Sequence, residues 1–179
     1  LSVARIGRVL VLNGPSSSGK TSIAKALQAL LPEPHQHVQL DAFRDMEPAG
    51  YWDELDNDTA KQRIAALCHA MHASVAAFAR NGQHVILDTA IDRASAARYL
   101  DEDLGEIGFS LIGVHCALDE LERRETARGD RQDGLARRQF ESIHVGRTYD
   151  FSVETTHMSA ARCATEIAAW LEGRNHSPA

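Results

Sequence analysis

The chain has 179 residues, 44% hydrophobic and 25% charged, with a mean hydropathy of −0.30. That is enough apolar material to bury a core, and its regular recurrence excludes disorder for the bulk of the chain. With 19 Lys and Arg against 25 Asp and Glu, the net charge is −6 and the pI about 5.8, which excludes broad electrostatic attraction to nucleic acid or anionic lipid.

No apolar run is long enough to cross a bilayer, and no basic-then-apolar leader opens the sequence, so neither a membrane nor a nucleic-acid partner is expected. Cys68, Cys116 and Cys163 are widely spaced and each falls in an apolar stretch, as reduced core thiols of a cytoplasmic protein do. The 9 histidines include one close pair, His69 and His72, without H-E-x-x-H or a Cys/His knuckle, so no structural zinc is expected.

In chain order, Arg8 to Asn13 reads as a buried strand, and Ile23, Leu27, Leu30 and Leu31 mark one face of a helix stopped by Pro32 and Pro34. A second strand is predicted over His37 to Asp41, followed by a loop from Met46 to Asp58. A long helix runs from Asp58 to Arg80, with Ile64, Leu67, Cys68, Met71, Val75 and Phe78 on its apolar stripe. His84 to Asp88 is a third strand, Ala94 to Leu104 a helix, and Ser110 to Cys116 a fourth strand. Leu118 to Phe140 is helical with a break at Gly129 or Gly134. Tyr149 to Glu154 is a fifth strand, and a last helix carries Ala160, Cys163, Ile167 and Leu171, with Ser159 as its cap. Alternating strands and helices predict an α/β fold of the P-loop type: a five-stranded parallel sheet with helices on both faces, in a single domain over 1–179 with a helical lid at about 117–147. Such sheets take ligands beyond the carboxyl ends of their strands.

At that edge, directly after the first strand, stands Gly14-Pro15-Ser16-Ser17-Ser18-Gly19-Lys20-Thr21, then Ser22, matching G-x-x-x-x-G-K-[ST]. A loop of this spacing turns its N–H groups inward onto phosphate oxygens, and the helix that follows adds its positive end. Lys20 then reaches the β- and γ-phosphates and the Thr21 hydroxyl ligates Mg²⁺, so ATP and Mg²⁺ are the expected cofactors. N-K-x-D and D-x-x-G are absent, which argues against a guanine-nucleotide switch, and the length suits a small-molecule kinase.

Asp41, at the predicted end of the second strand, faces the phosphate loop and is the candidate group to orient an acceptor hydroxyl and take its proton. An ordinary aspartate is a weak base, but in a loose phosphoryl-transfer transition state the proton leaves late and positioning matters more. The alternative is an Asp capping a short helix at Ala42 to Met46. Asp88, ending the third strand, is a candidate for Mg²⁺ through water, for the acceptor, or for a hydrogen bond to Thr21. Asp92, beside Arg93, is a further acceptor-site candidate. The acids Asp53, Glu54, Asp56 and Asp58 read as solvated surface. Arg124, Arg128 and Arg131, spaced four and three apart, form a cationic row that can neutralise the transferring phosphoryl group; the alternative is a solvated face paired to Glu120, Glu125 and Asp130.

The loop V-L-N-G-P-S-S-S-G-K-T-S, Leu31-Pro32-Glu33-Pro34, Asp41, the block from Arg124 to Arg131, His144, Tyr149-Asp150 and Thr155-Thr156-His157 together resemble the chloramphenicol phosphotransferase family. The resemblance is spread over most of the chain. It implies an ATP-dependent kinase of the adenylate- and shikimate-kinase type that phosphorylates a hydroxyl of an antibiotic. It also implies Asp41 as base and Arg128 and Arg131 as lid arginines. Met46 to Asp58 and Thr89 to Arg93 depart from the family pattern, so the resemblance speaks for donor and reaction more than for the acceptor. The competing readings are a housekeeping kinase for a sugar, sugar acid or nucleoside, and an ATP-binding sensor without catalysis.

Overall fold

The computed structural model describes residues 5–91, 94–128 and 134–175. Five parallel strands, β1 (Val9–Asn13), β2 (His35–Gln39), β3 (His84–Thr89), β4 (Ser110–His115) and β5 (Phe151–Glu154), lie in the order β2-β3-β1-β4-β5. Alternation along β1 explains the layers. Leu10 and Leu12 point to one face, where α1 (Lys20–Leu30) and α7 (Ala160–Asn175) supply Ile23, Leu27, Cys163 and Ile167. Val9 and Val11 point to the other, against Met71, Val75 and Ala79 of α3 (Asn57–Arg80) and Leu100 and Leu104 of α4 (Ala94–Leu104). The remaining helices are α2 (Leu40–Arg44), α5 (Leu118–Arg128) and α6 (Leu135–Phe140), all on the carboxyl side of their strands.

Register puts the strand ends on one level. Gln39 of β2 and Leu12 of β1 both flank Asp88, and Asn13 lies between Thr89 and Gly113. The segments that leave these ends therefore meet over one edge of the sheet.

Four details correct the sequence reading. The second strand runs from His35 to Gln39 rather than to Asp41, which instead occupies the first turn of α2. The stripe of α3 is rotated: Ile64 and Phe78 are exposed, whereas His72, Ala76 and Ala79 are buried with Leu67, Met71 and Val75. Cys68 is only half-buried, unlike the core thiols Cys116 and Cys163. The acidic loop also holds structure, a 3-10 turn over Tyr51–Glu54, and Asp56 caps α3 by accepting from the N–H groups of Asp58 and Thr59 at 2.9 Å.

Candidate active site

Between β1 and α1 the chain folds back on itself. Ser18 N donates to Pro15 O at 3.2 Å, Ser17 adopts φ 64° without being glycine, and Gly19, the N-cap of α1, sits at φ 92°. Such left-handed geometry costs a side-chain-bearing residue about 1–3 kcal/mol and persists where the surroundings enforce it. Here they do. Lys20 Nζ donates to the carbonyls of Gly14 and Pro15 at 2.8 and 2.9 Å, Ser16 N donates to Gln139 Oε1 of α6 at 2.6 Å, and Thr155 Oγ1 donates to Ser18 O at 2.8 Å. Gly14 is fixed for a different reason: a Cβ there would lie 2.4 Å from the Val114 carbonyl oxygen and 2.9 Å from Ser18 Oγ. Gly14→Ala is therefore expected to lose about 1–3 kcal/mol of stability by overpacking, together with any thermal shift on adding nucleotide; melting curves with and without ATP check both.

The loop opens on a cavity of about 760 Å³. Ser16, Ser17, Gly19, Lys20, Thr21 and Ser22 line it from one side; Asp41, Asp88, Arg124 and Arg128 line it from others. Gly14, Pro15 and Ser18 stand behind this lining as its support. Asp92 and Arg131 lie outside the described residues. Thr21 Oγ1 donates to Asp88 Oδ2 at 2.6 Å, so of the readings open for Asp88 the structure contains the hydrogen bond to Thr21. Burial pushes the Asp88 carboxyl up, but neighbouring His37, whose Nε2 stands 3.6 Å away, the Lys20 charge and the Thr21 hydroxyl together bring it below the usual range. It is a carboxylate held next to a hydroxyl, the oxygen chemistry that suits Mg²⁺. Ser17 Oγ and Ser18 Oγ are buried with no hydrogen-bond partner among the described residues.

The arginine row divides. Arg124 Nη2 donates to Thr155 O at 2.6 Å, its Nε donates to Glu120 at 2.7 Å, and its Nη1 stands 3.4 Å from Ser17 O. It braces β5 against the phosphate loop. The hydrogen bonds from Arg123 and Arg124 hold the Glu120 carboxyl down at about 2. Arg128 borders the cavity at the end of α5. Glu125 is not part of a solvated face. It is buried, and accepts from Gly134 N at 3.0 Å and Ala136 N at 2.9 Å, capping α6 from α5. Glu125→Ala leaves those two N–H groups unmatched and is expected to cost about 1–3 kcal/mol in urea unfolding, with α6 losing amide protection first.

Three supports have no role in the sequence reading, although Asn13 and Thr155 lie in stretches that carry the family resemblance: Asn13, Gln139 and Thr155. Asn13 Oδ1 accepts from Ile91 N at 2.7 Å, while its Nδ2 donates to Tyr149 Oη at 2.8 Å and to Ile143 O at 3.3 Å. Tyr149 Oη in turn donates a hydrogen bond to His144 Nδ1 at 2.7 Å. Burial, and then the charges of His115 and Lys20, push His144 down to about 4, which keeps it a neutral acceptor near pH 7. The local signal for Asn13 is a polar residue closing the apolar run V-L-V-L-N.

With this geometry in place, comparison with known proteins is informative. "Putative O-phosphotransferase Rv2636" of Mycobacterium tuberculosis is 29% identical over 184 residues, covering 90% of this chain and 80% of that protein. In fold, the chain is similar to the APS kinase CysC of Mycobacterium tuberculosis, solved with AMPPNP and APS (TM-score 0.71, 18% identity, 93% of this chain and 98% of that one). It is likewise similar to shikimate kinase from Acinetobacter baumannii, solved with shikimate (TM-score 0.72, 12% identity, 97% of each chain). The profile of the chloramphenicol phosphotransferase-like proteins matches residues 7–172. A phosphate loop on the central strand of a parallel sheet and a match over nearly its whole length thus assign the chain to the chloramphenicol phosphotransferase-like family, phosphotransferases of the P-loop type.

Proposed function

We propose that the protein transfers the γ-phosphoryl group of ATP to a hydroxyl of a small molecule, with chloramphenicol or a related antibiotic as the leading acceptor. What carries the reading is that a single cavity is lined both by Lys20 and Thr21 of the phosphate loop and by Asp41 in the first turn of α2. Donor and acceptor groups would therefore share one cavity, the arrangement that turns a bimolecular transfer into a positioned one.

In this mechanism the loop N–H groups and Lys20 bind the triphosphate, and Arg128 offsets charge that spreads over the equatorial oxygens during transfer. Arg131 is assigned the same role. Thr21 and Asp88 would hold Mg²⁺, which when bound would offset charge on the donor phosphates. Asp41 Oδ accepts a hydrogen bond from the acceptor hydroxyl, aims its oxygen at phosphorus, and takes the proton as the P–O bond forms. Arg124 holds the loop in shape.

The test is acceptor-dependent ADP release across a panel of hydroxylated compounds that includes chloramphenicol, sugars, sugar acids and nucleosides. Release that rises with one acceptor class, and a phosphomonoester in the product, support the reading. ATP binding without release for any acceptor would leave a nucleotide sensor instead.

A further inference from the structure

Away from the phosphate loop the cavity is walled by α3 and α4. Ile64, Ala65 and Cys68 from the first helix and Leu100 from the second make this wall largely apolar. Two polar rings interrupt it, Tyr99 of α4 and His72 of α3. His72 lines the cavity although its side chain is only 5% exposed. Its Nδ1 lies 2.8 Å from Asp103 Oδ2 on α4, and the same carboxylate takes His69 Nδ1 at 2.9 Å.

A carboxylate only accepts, so the proton of the His72 ring sits on Nδ1 and Nε2 is left with a lone pair. Burial lowers the proton affinity of this ring, against the raising effect of Asp103, which keeps it neutral near pH 7. Among the described residues nothing hydrogen-bonds to Nε2, and His72 borders the cavity. A buried acceptor in an apolar wall is matched only by a ligand bearing a donor at that spot.

Arg44 and Lys61 also line the cavity. The Arg44 guanidinium carbon lies 4.5 Å above the Trp52 ring, and Lys61 pairs with Asp58 at 2.9 Å.

We propose that His72 is a specificity-determining residue: its Nε2 accepts a hydrogen bond from a second hydroxyl or amide N–H of an uncharged acceptor whose apolar body lies along the α3–α4 wall. This deepens the kinase reading above and rests on it.

The experiment measures ADP formation by the wild-type protein, His72→Asn and His72→Gln. The panel pairs uncharged acceptors that combine an apolar body with a second donor against carboxylate-bearing polyols. Asn retains a group able to donate to Asp103 but has nothing in place of Nε2; Gln places a polar atom near Nε2. Wild-type turnover is expected to favour the uncharged class. His72→Asn is expected to raise the acceptor KM about tenfold, the value of one lost hydrogen bond in a buried site, with the ATP KM and the melting temperature unchanged. His72→Gln recovers part of that loss. An acceptor KM that stays constant in His72→Asn, an equal rise in the ATP KM, or turnover confined to carboxylate-bearing acceptors overturns the proposal. In each of these outcomes acceptor-dependent ADP release by the wild type still stands, so the kinase reading is judged separately by that release.

Discussion

Lys20→Ala is expected to lower turnover by about 10²–10³-fold, the usual consequence of removing one preorganised positive donor from a charge-developing site. The ammonium has two tasks. In the structure it ties the Gly14 and Pro15 carbonyls together, which holds the loop curled, and its charge lowers the proton affinity of Asp88. Removing it loosens the loop and strips charge from the donor phosphates, so nucleotide affinity and the transfer step both fall. Lys20→Arg is not expected to rescue, because a planar fork does not fit where a compact point charge bridges two carbonyls. Titration calorimetry with ATP, together with single-turnover rates, separates the two losses. Wild-type rates in Lys20→Ala would end the phosphate-loop account.

Asp41→Asn should leave ATP affinity within about twofold yet reduce turnover by about 10²–10⁴-fold, the range ascribed to a positioned general base. Asn has the same size and leaves α2 intact, so the change is confined to charge and proton acceptance. Its effect belongs in kcat, because the contact to the acceptor hydroxyl strengthens as the P–O bond forms. Unaltered kcat in Asp41→Asn removes this residue from the mechanism and leaves the phosphate loop untouched. The two variants thus probe opposite sides of one cavity and are expected to differ in a single observable, the affinity for nucleotide.

The sheet and the phosphate loop were legible because their information is local. Continuous apolar runs such as Val9 to Leu12 have no alternative but a buried strand, and the loop spacing has a backbone meaning wherever it stands between strand and helix. The start of β2 was not legible. His35 is buried by stacking on His84, with ring centres 4.9 Å apart, and a histidine carries no apolar signal for that position. The strand therefore begins and ends two residues earlier than its apolar residues suggest, and Asp41 moves onto a helix. Glu125 failed to declare itself for a related reason: within a run of charges it looks like surface, and only the return of the chain at Gly134 and Ala136 shows what it holds. The division between Arg124 and Arg128 is likewise tertiary, since Thr155 lies 31 residues away from Arg124.

Asn13 uses both ends of one carboxamide, taking a proton from the segment after β3 and giving to the segment before β5. No side chain that only donates or only accepts spans both partners. The segment after β3 and the segment before β5 are consequently pinned to a common reference point at the end of the central strand. The ruler that sets the distance between those two segments is a single amide side chain, and shortening or removing it would leave each of them to find its own position.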